Sequence, residues 1–394
     1  MKQPYLYLRG LRLVTHSVFC VENGQKNYWD SQFEQHVAYS SGQQVKRSII
    51  DCVLGVLDKT PSPVTFNSKI EGESIKPKQA FSICDPTYVD QLLGGWMLAK
   101  SKADKGRSKK KGNEADEGES SDEESSKSKT IKRRSPLSIS AMRPLHPLLA
   151  STTTENMTLD RSGQAATYNS EDKSDAHKII VRDSSGNIMS AEQVENFIKE
   201  KDLPPVPPRI WVPDKKGSNR RTSGLFVFDV AVDLRNLFCV SLNKYELEME
   251  QPVTDKLISL KWVRIKNAFG ECLLCPEKER NEIIKALANA LINWRITSNQ
   301  SRTFSLMETL AITISDNANK VASAIRARLS DETEKQKALP IIDDSVGADL
   351  FIALPCDGYI QGVHGTVNAL EDAENRLAEM MLAYDYENQV KSSV

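Results

Sequence analysis

The spacing of apolar residues changes several times along this chain, and each change marks an element. Residues 5–14 (YLYLRGLRLV) are rich in aromatic and branched side chains and predict an opening strand with Gly10 at its middle. A polar loop, 16–39, follows. Over 43–58, Val45, Ile49, Val53 and Leu57 recur at helical spacing behind Ser40 and Ser41, which predicts a helix with one buried face. Asp85-Pro86 reads as an N-cap followed by proline at the first helical position, opening a short helix through Tyr88, Leu92 and Leu93 that Gly94-Gly95 weakens.

Between 100 and 134 the pattern fails, because Ala103, Ala115 and Ile131 are its apolar residues. Such a segment cannot bury enough surface to offset the entropy of ordering, so disorder is expected there. Residues 135–167 are rich in Ser, Thr and Pro and read as an extended arm or hairpin leaving the core. A short strand at 178–181, a helix at 191–201 and a proline-rich connector at 203–209 follow. The clearest strand signals lie at 225–234, with Phe226, Phe228, Val230 and Val232 in alternation, and at 237–242. A long amphipathic helix at 276–296, a strand at 309–315, a helix at 317–329, a strand at 349–354 and a helix at 366–386 complete the chain.

This order predicts an α+β fold, a ferredoxin-like sheet carrying large insertions. Its expected divisions are 1–99 for the first part of the palm, 100–134 for the charged insert, 135–224 for a thumb and insertion region, and 225–394 for the second part of the palm with the C-terminal helices.

The 394 residues are 39% hydrophobic, enough for a sizeable core, and 52 Lys+Arg against 53 Asp+Glu leave a net charge of -1. A nearly neutral chain binds nucleic acid only through local surfaces. Seven cysteines, odd in number and mostly in apolar runs, suit free thiols in a reducing cytoplasm. The first residues lack the unbroken apolar run of a signal peptide, and no stretch approaches the roughly 20 apolar residues of a membrane span. The chain is expected in the cytoplasm, without a membrane partner.

The chemistry concentrates in 36–50, HVAYSSGQQVKRSII. Ser40 and Ser41 can cap the helix, whose first N–H groups make an anion site. Lys46 and Arg47 near the same positive end of the dipole are unfavourable unless an anion draws them together. An RNA phosphate would do so, with the Gln43 and Gln44 amides. A capped surface helix with two solvated cations is the plainer alternative.

The run Ser40-Ser41-x-Gln43-Gln44-x-Lys46-Arg47 resembles the S-S-Q-x-x-K-R signature of the CRISPR-associated backbone subunits of type I (Cascade) effector complexes, the DevR-like branch of the RAMP superfamily. Gly42 separates Ser41 from Gln43, so Gln43 or Gln44 can take the glutamine role. Three further segments match in order: the opening strand with its His16-Ser17 loop, 85–97 (DPTYVDQLLGGWM), and 133–149 (RRSPLSISAMRPLHPLL). The resemblance covers roughly the first 240 residues in pieces, and 225–234 is similar to a later core strand of that family.

That resemblance implies a modified RRM-like palm with an inserted thumb hairpin, and copies stacked head to tail along a guide RNA (crRNA). Other Cascade subunits would be partners, and target DNA would be met indirectly through the guide. It places His16 and the helix end on the RNA, and the thumb within 142–167. Met142, Leu145, Leu148, Leu149 and Met157 are then candidate wedges between bases or plain core residues, and Arg143 and Arg161 candidate phosphate contacts. The basic loop Lys215, Lys216, Arg220 and Arg221 suits phosphate or solvent equally.

Cys272 and Cys275 form one C-x-x-C pair with Cys356 and His364 as distant helpers, too few ligands for structural zinc, so no metal or cofactor is expected. No phosphate loop, nucleophile elbow or H-E-x-x-H occurs. The enzyme alternative, a target-RNA endonuclease like that of related type III complexes, rests on Glu22 and Asp30 in the loop after the first strand. The chain is expected not to be an enzyme.

Overall fold

The computed structural model describes residues 3–19, 25–98, 130–154, 157–163, 166–168, 178–212, 220–296, 304–330 and 336–390. Within them the protein is a mixed α+β structure built on one seven-stranded sheet. Its strands are β1 (Tyr5–Ser17), the short β2 (Leu137–Ile139) and β3 (Arg143–Pro144), β4 (Ala150–Thr154), β5 (Arg220–Asp233), β6 (Glu308–Ser315) and β7 (Asp349–Ile352). The spatial order is β4-β5-β1-β6-β7, antiparallel throughout, with β2 and β3 also paired to β5.

The described helices are α1 (Gly42–Leu57), α2 (Val89–Gly94), α3 (Ala191–Glu200), α4 (Gln251–Ser259), α5 (Glu277–Asn293), α6 (Ala318–Ala324) and α7 (Ala369–Leu382). Of these, α1 and α7 each pack on α5, and the three cover one face of this sheet. Leu6, Leu8, Val14, Phe226, Phe228, Val230 and Ile312 meet Val45, Ile49, Leu287 and Leu291 in that core. The smaller cluster on the opposite face joins Leu11, Val227 and Leu310 to Ile325 and Ile360. Gly10 is required at the middle of β1 because a Cβ there would lie 2.3 Å from the Phe228 ring.

Arg12 is buried in the larger core and pairs with no carboxylate among the described residues. It donates to the Trp294 and Ile292 carbonyls at 2.7 and 3.0 Å, so its charge sits at the negative end of the α5 dipole, with the guanidinium 4.1 Å from the Trp294 ring centre. Burial holds its pKa well below the usual arginine value.

Several expectations are corrected. The predicted arm at 135–167 does not project through its first half: β2, β3 and β4 run along the edge of β5 as one interrupted strand. Pro144 fits such an edge strand, and Pro147 opens the short 3-10 turn between β3 and β4, where its missing N–H has no helical partner to lose. The core strand starts at Arg220, not at 225, so a division between 224 and 225 falls inside β5.

The predicted helix at 317–329 is shorter, α6 (Ala318–Ala324), because the alternating IRARLS of Ile325–Ser330 pairs with Lys337–Ile342 instead. The strand expected at 237–242 is Cys239–Ser241 and belongs to a separate three-stranded sheet with Val263–Asn267 and Gly270–Leu274. Of the stretch expected to be disordered, 100–129 lies outside the described residues, but Ile131–Arg133 is a strand paired with Trp96–Leu98. The polar loop after β1 holds a small hairpin, Asn27–Asp30 with Gln35–Ala38.

Candidate nucleic-acid interface

The N-terminus of α1 is built much as its sequence suggests. Ser41 is the cap in extended conformation, and its Oγ accepts the Gln44 N–H at 3.4 Å. The preceding N–H groups, those of Gly42 and Gln43, have no carbonyl one turn earlier to bond, and no acidic residue occupies the first turn. Ser40 is buried, forms a backbone bridge with Met142, and donates its hydroxyl to the Gln44 side chain at 3.2 Å. Gln44 is thus turned onto the protein while Gln43 is exposed. Gly42 sits against the backbone of the β2–β3 connection, where a Cβ would come within 2.7 Å of the Ile139 carbonyl.

The two cations behind this cap part company. Arg47 is exposed and pairs with Asp51 one turn on at 2.9 Å. Lys46 is half-buried and donates to the Gly94 carbonyl at 3.0 Å. That carbonyl is the end of α2 (Val89–Gly94). Its neighbours are taken as well: Ser135 Oγ donates to Leu93 O at 2.7 Å, and the buried Arg133 to Leu92 O. Arg133 further reaches the carbonyls of Asn236 and Cys239. Gly95 closes the turn at φ 73, with no room for a Cβ against Arg133 O. Burial, with Arg133 close by, pulls the Lys46 pKa down to about 8. The expectation that Lys46 faces an anion at the α1 end is therefore corrected: it closes the far end of a different helix.

The other predicted contacts scatter. His16, exposed at the end of β1 with φ 43, has its N–H held by Ser223 Oγ at 2.8 Å. Arg143 is half-exposed and 3.7 Å from Asp229, which a tighter pair already joins to Arg9 at 2.6 Å. Arg161 is exposed, its side chain on the Asp160 carbonyl. Arg220 is half-buried in β5, and Arg221, 4% exposed, is unavailable to a ligand. Lys215, Lys216 and Glu22 lie outside the described residues. Asp30 Oδ1 accepts the N–H groups of Gln32 and Phe33, a turn-forming role.

The wedge candidates are corrected in the main. Met142 is fully buried, and Leu145 and Leu149 pack on the smaller core cluster, because the segment carrying them is a sheet edge. Leu148 is half-buried beside them. Met157 begins Met157–Asp160, which pairs with Arg209–Val212 and not with the sheet; its side chain is outside the described residues.

A further exposed element is one that sequence reasoning passed over, the hairpin Val64–Glu71 with Ser74–Ser82. Nearly every residue in it is exposed, including Phe66, Ile70 and Ile75. The available signal was the period-two pattern on both sides of Glu71-Gly72-Glu73, with Gly72 at φ 64. Cys272 and Cys275 are buried, and among the described residues no group of three His, Cys, Asp or Glu could hold a metal ion. No helix among them is long and apolar enough to cross a membrane.

Comparison with known proteins adds little. No protein-family model matches the chain, and no curated protein matches it. Among solved structures, a chain described as "CRISPR RNA-guided surveillance complex, pre-nicking" aligns over 95% of this chain and 88% of its own, at 9% identity and a TM-score of 0.38. Another, "CRISPR RNA-guided surveillance complex", aligns over 95% and 82%, at 10% identity and a TM-score of 0.34. Scores below 0.5 do not establish a shared fold.

Proposed function

We propose that this chain is a guide-RNA-binding backbone subunit of a type I CRISPR surveillance complex, acting in the cytoplasm by gripping RNA phosphates and not as an enzyme. The observation that carries the reading is the convergence of the motif segments. Three stretches far apart in sequence, 40–47, 85–97 and 133–149, meet through the Lys46, Arg133 and Ser135 bonds to α2 and through the Ser40–Met142 bridge. Motifs that resemble one family by chance have no reason to interlock.

The sheet order supports a ferredoxin-like palm. Along the chain β1, α1, β4, β5, α5 and β6 follow one another, and the strands lie as β4-β5-β1-β6, the interleaving of that fold. In this reading the phosphate site consists of the α1 end with Ser41, Gln43 and Arg47, and the thumb is the hairpin at 64–82 in place of 142–167. Copies stack head to tail on crRNA beside other subunits.

The test is recovery of RNA. Tagged protein purified from cells expressing a CRISPR array should retain short repeat-spacer RNA with a regular number of protein copies per RNA. Retention of random RNA alone, or of none, overturns the reading. Evenly spaced cuts in complementary RNA, lost on Asp30→Ala, would favour the endonuclease.

A further inference from the structure

The exposed hairpin ends in a distinctive tip. Ile70 and Ile75 stand directly opposite each other, each 73% exposed, and Glu73 occupies the turn between their strands. Glu71 is held by Lys76 and Lys78, whereas Glu73 and Lys69 enter no ion pair among the described residues. Two adjacent isoleucines on a bare hairpin invite a covering surface.

A groove of about 780 Å³ elsewhere offers one. Leu306, Leu354, Val367 and Phe304 form an exposed apolar lining, and its charged residues are Arg295 and Glu308. Arg295 donates to the carbonyls of Asn293 and Trp294, and among the described residues neither it nor Glu308 pairs with an opposite charge. Apolar tip meets apolar lining, and both signs of charge match, Glu73 to Arg295 and Lys69 to Glu308.

The two features lie toward opposite ends of the molecule. The chain leaves α1 for the hairpin past Lys59, which pairs with Glu279 in the first turn of α5, while Arg295 lies just beyond the other end of α5. Its 17 residues span roughly 25 Å. A contact between different patches at opposite ends is heterologous, and repeats from copy to copy to build a ring or an open filament.

We propose that the Ile70/Ile75 tip of each copy docks into the Arg295 groove of the next copy, the protein half of a head-to-tail stack. The inference rests on the reading of the chain as a stacking subunit.

Full-length Ile75→Cys protein mixed with full-length Leu306→Cys protein on guide RNA long enough for several copies should give covalent dimers under mild oxidation. Neither variant alone should do so. Ile70→Ser/Ile75→Ser should raise the protein concentration needed for multimers about a hundredfold, from the lost burial of two side chains. Multimers on RNA without the mixed cross-link overturn the docking site and leave the RNA-binding reading intact. If no multimer forms on RNA by sedimentation, both fall.

Discussion

Two helix ends, both reached by residues of the 40–47 motif, have opposite fates. At the end of α2 the last three carbonyls are taken by Arg133, Ser135 and Lys46, so the negative pole of the helix is filled by the protein's own donors. At the start of α1 the chain supplies one cap, Ser41, and leaves the N–H groups of Gly42 and Gln43 beside the exposed Arg47. Adjacent residues of one motif thus divide between building and binding. Lys46 and Gln44 face inward, Arg47 and Gln43 outward.

The sharpest way to break this contrast is to empty the α2 end. Arg133 is 4% exposed and serves three carbonyls, so Arg133→Met should cost about 3 to 5 kcal/mol, because it leaves buried acceptors without donors. Urea denaturation reads the loss. RNA affinity per folded molecule should stay unchanged, and a parallel fall in affinity would mean that the two ends are not separate.

The next effect tests the same end through backbone geometry. Gly95→Ala places a Cβ 2.5 Å from the Arg133 carbonyl at φ 73, a conformation alanine resists, and should cost about 2 kcal/mol or more. A thermal unfolding midpoint equal to that of the unaltered protein would show that the turn relaxes and that α2 is not clamped as described.

At the α1 end the signs should reverse. Gln43→Ala with Arg47→Ala should leave stability within about 0.5 kcal/mol, since both side chains are exposed and the Arg47–Asp51 pair is a surface one. Guide-RNA binding should weaken by about 1 kcal/mol and its salt slope fall by about 1, measured by titration at several salt concentrations. An unchanged salt slope would remove the phosphate site from α1.

How far this division could be read in advance follows from what sequence patterns encode. Val45, Ile49 and Val53 declared α1 by their spacing, and all three are buried. Phe226, Phe228 and Val230 likewise declared β5. The edge made by β2, β3 and β4 was hidden because it is joined to β5 by backbone bonds, with few apolar alternations and two prolines. The target of Lys46 was hidden for a related reason: a carbonyl 48 residues away leaves no mark on residue type. The hairpin at 64–82 was legible in principle, since its alternation flanks a glycine turn, but its apolar residues face outward, where pattern reading expects a core.

The smallest effect decides where the Lys46 ammonium belongs. Its pKa in the folded protein is about 8, lowered by burial first and by Arg133 second, against an ordinary lysine value of 10.5. Below pH 8 both the folded and the unfolded chain carry the proton, and the folded state bears the full cost of a half-buried cation. Between about pH 8 and 10.5 the unfolded chain holds more protons than the folded one, so this residue's contribution makes stability rise with pH across that window. Partial exposure of the group keeps the gain below about 1 kcal/mol. The difference in urea midpoint between the unaltered protein and Lys46→Met, followed from pH 7 to 10.5, cancels the other titrating groups. It should be flat up to about pH 8 and then turn in favour of the lysine form. A difference that stays flat throughout would mean an ammonium solvated as freely as in the unfolded chain, and would return Lys46 to the exposed, RNA-facing set with Arg47.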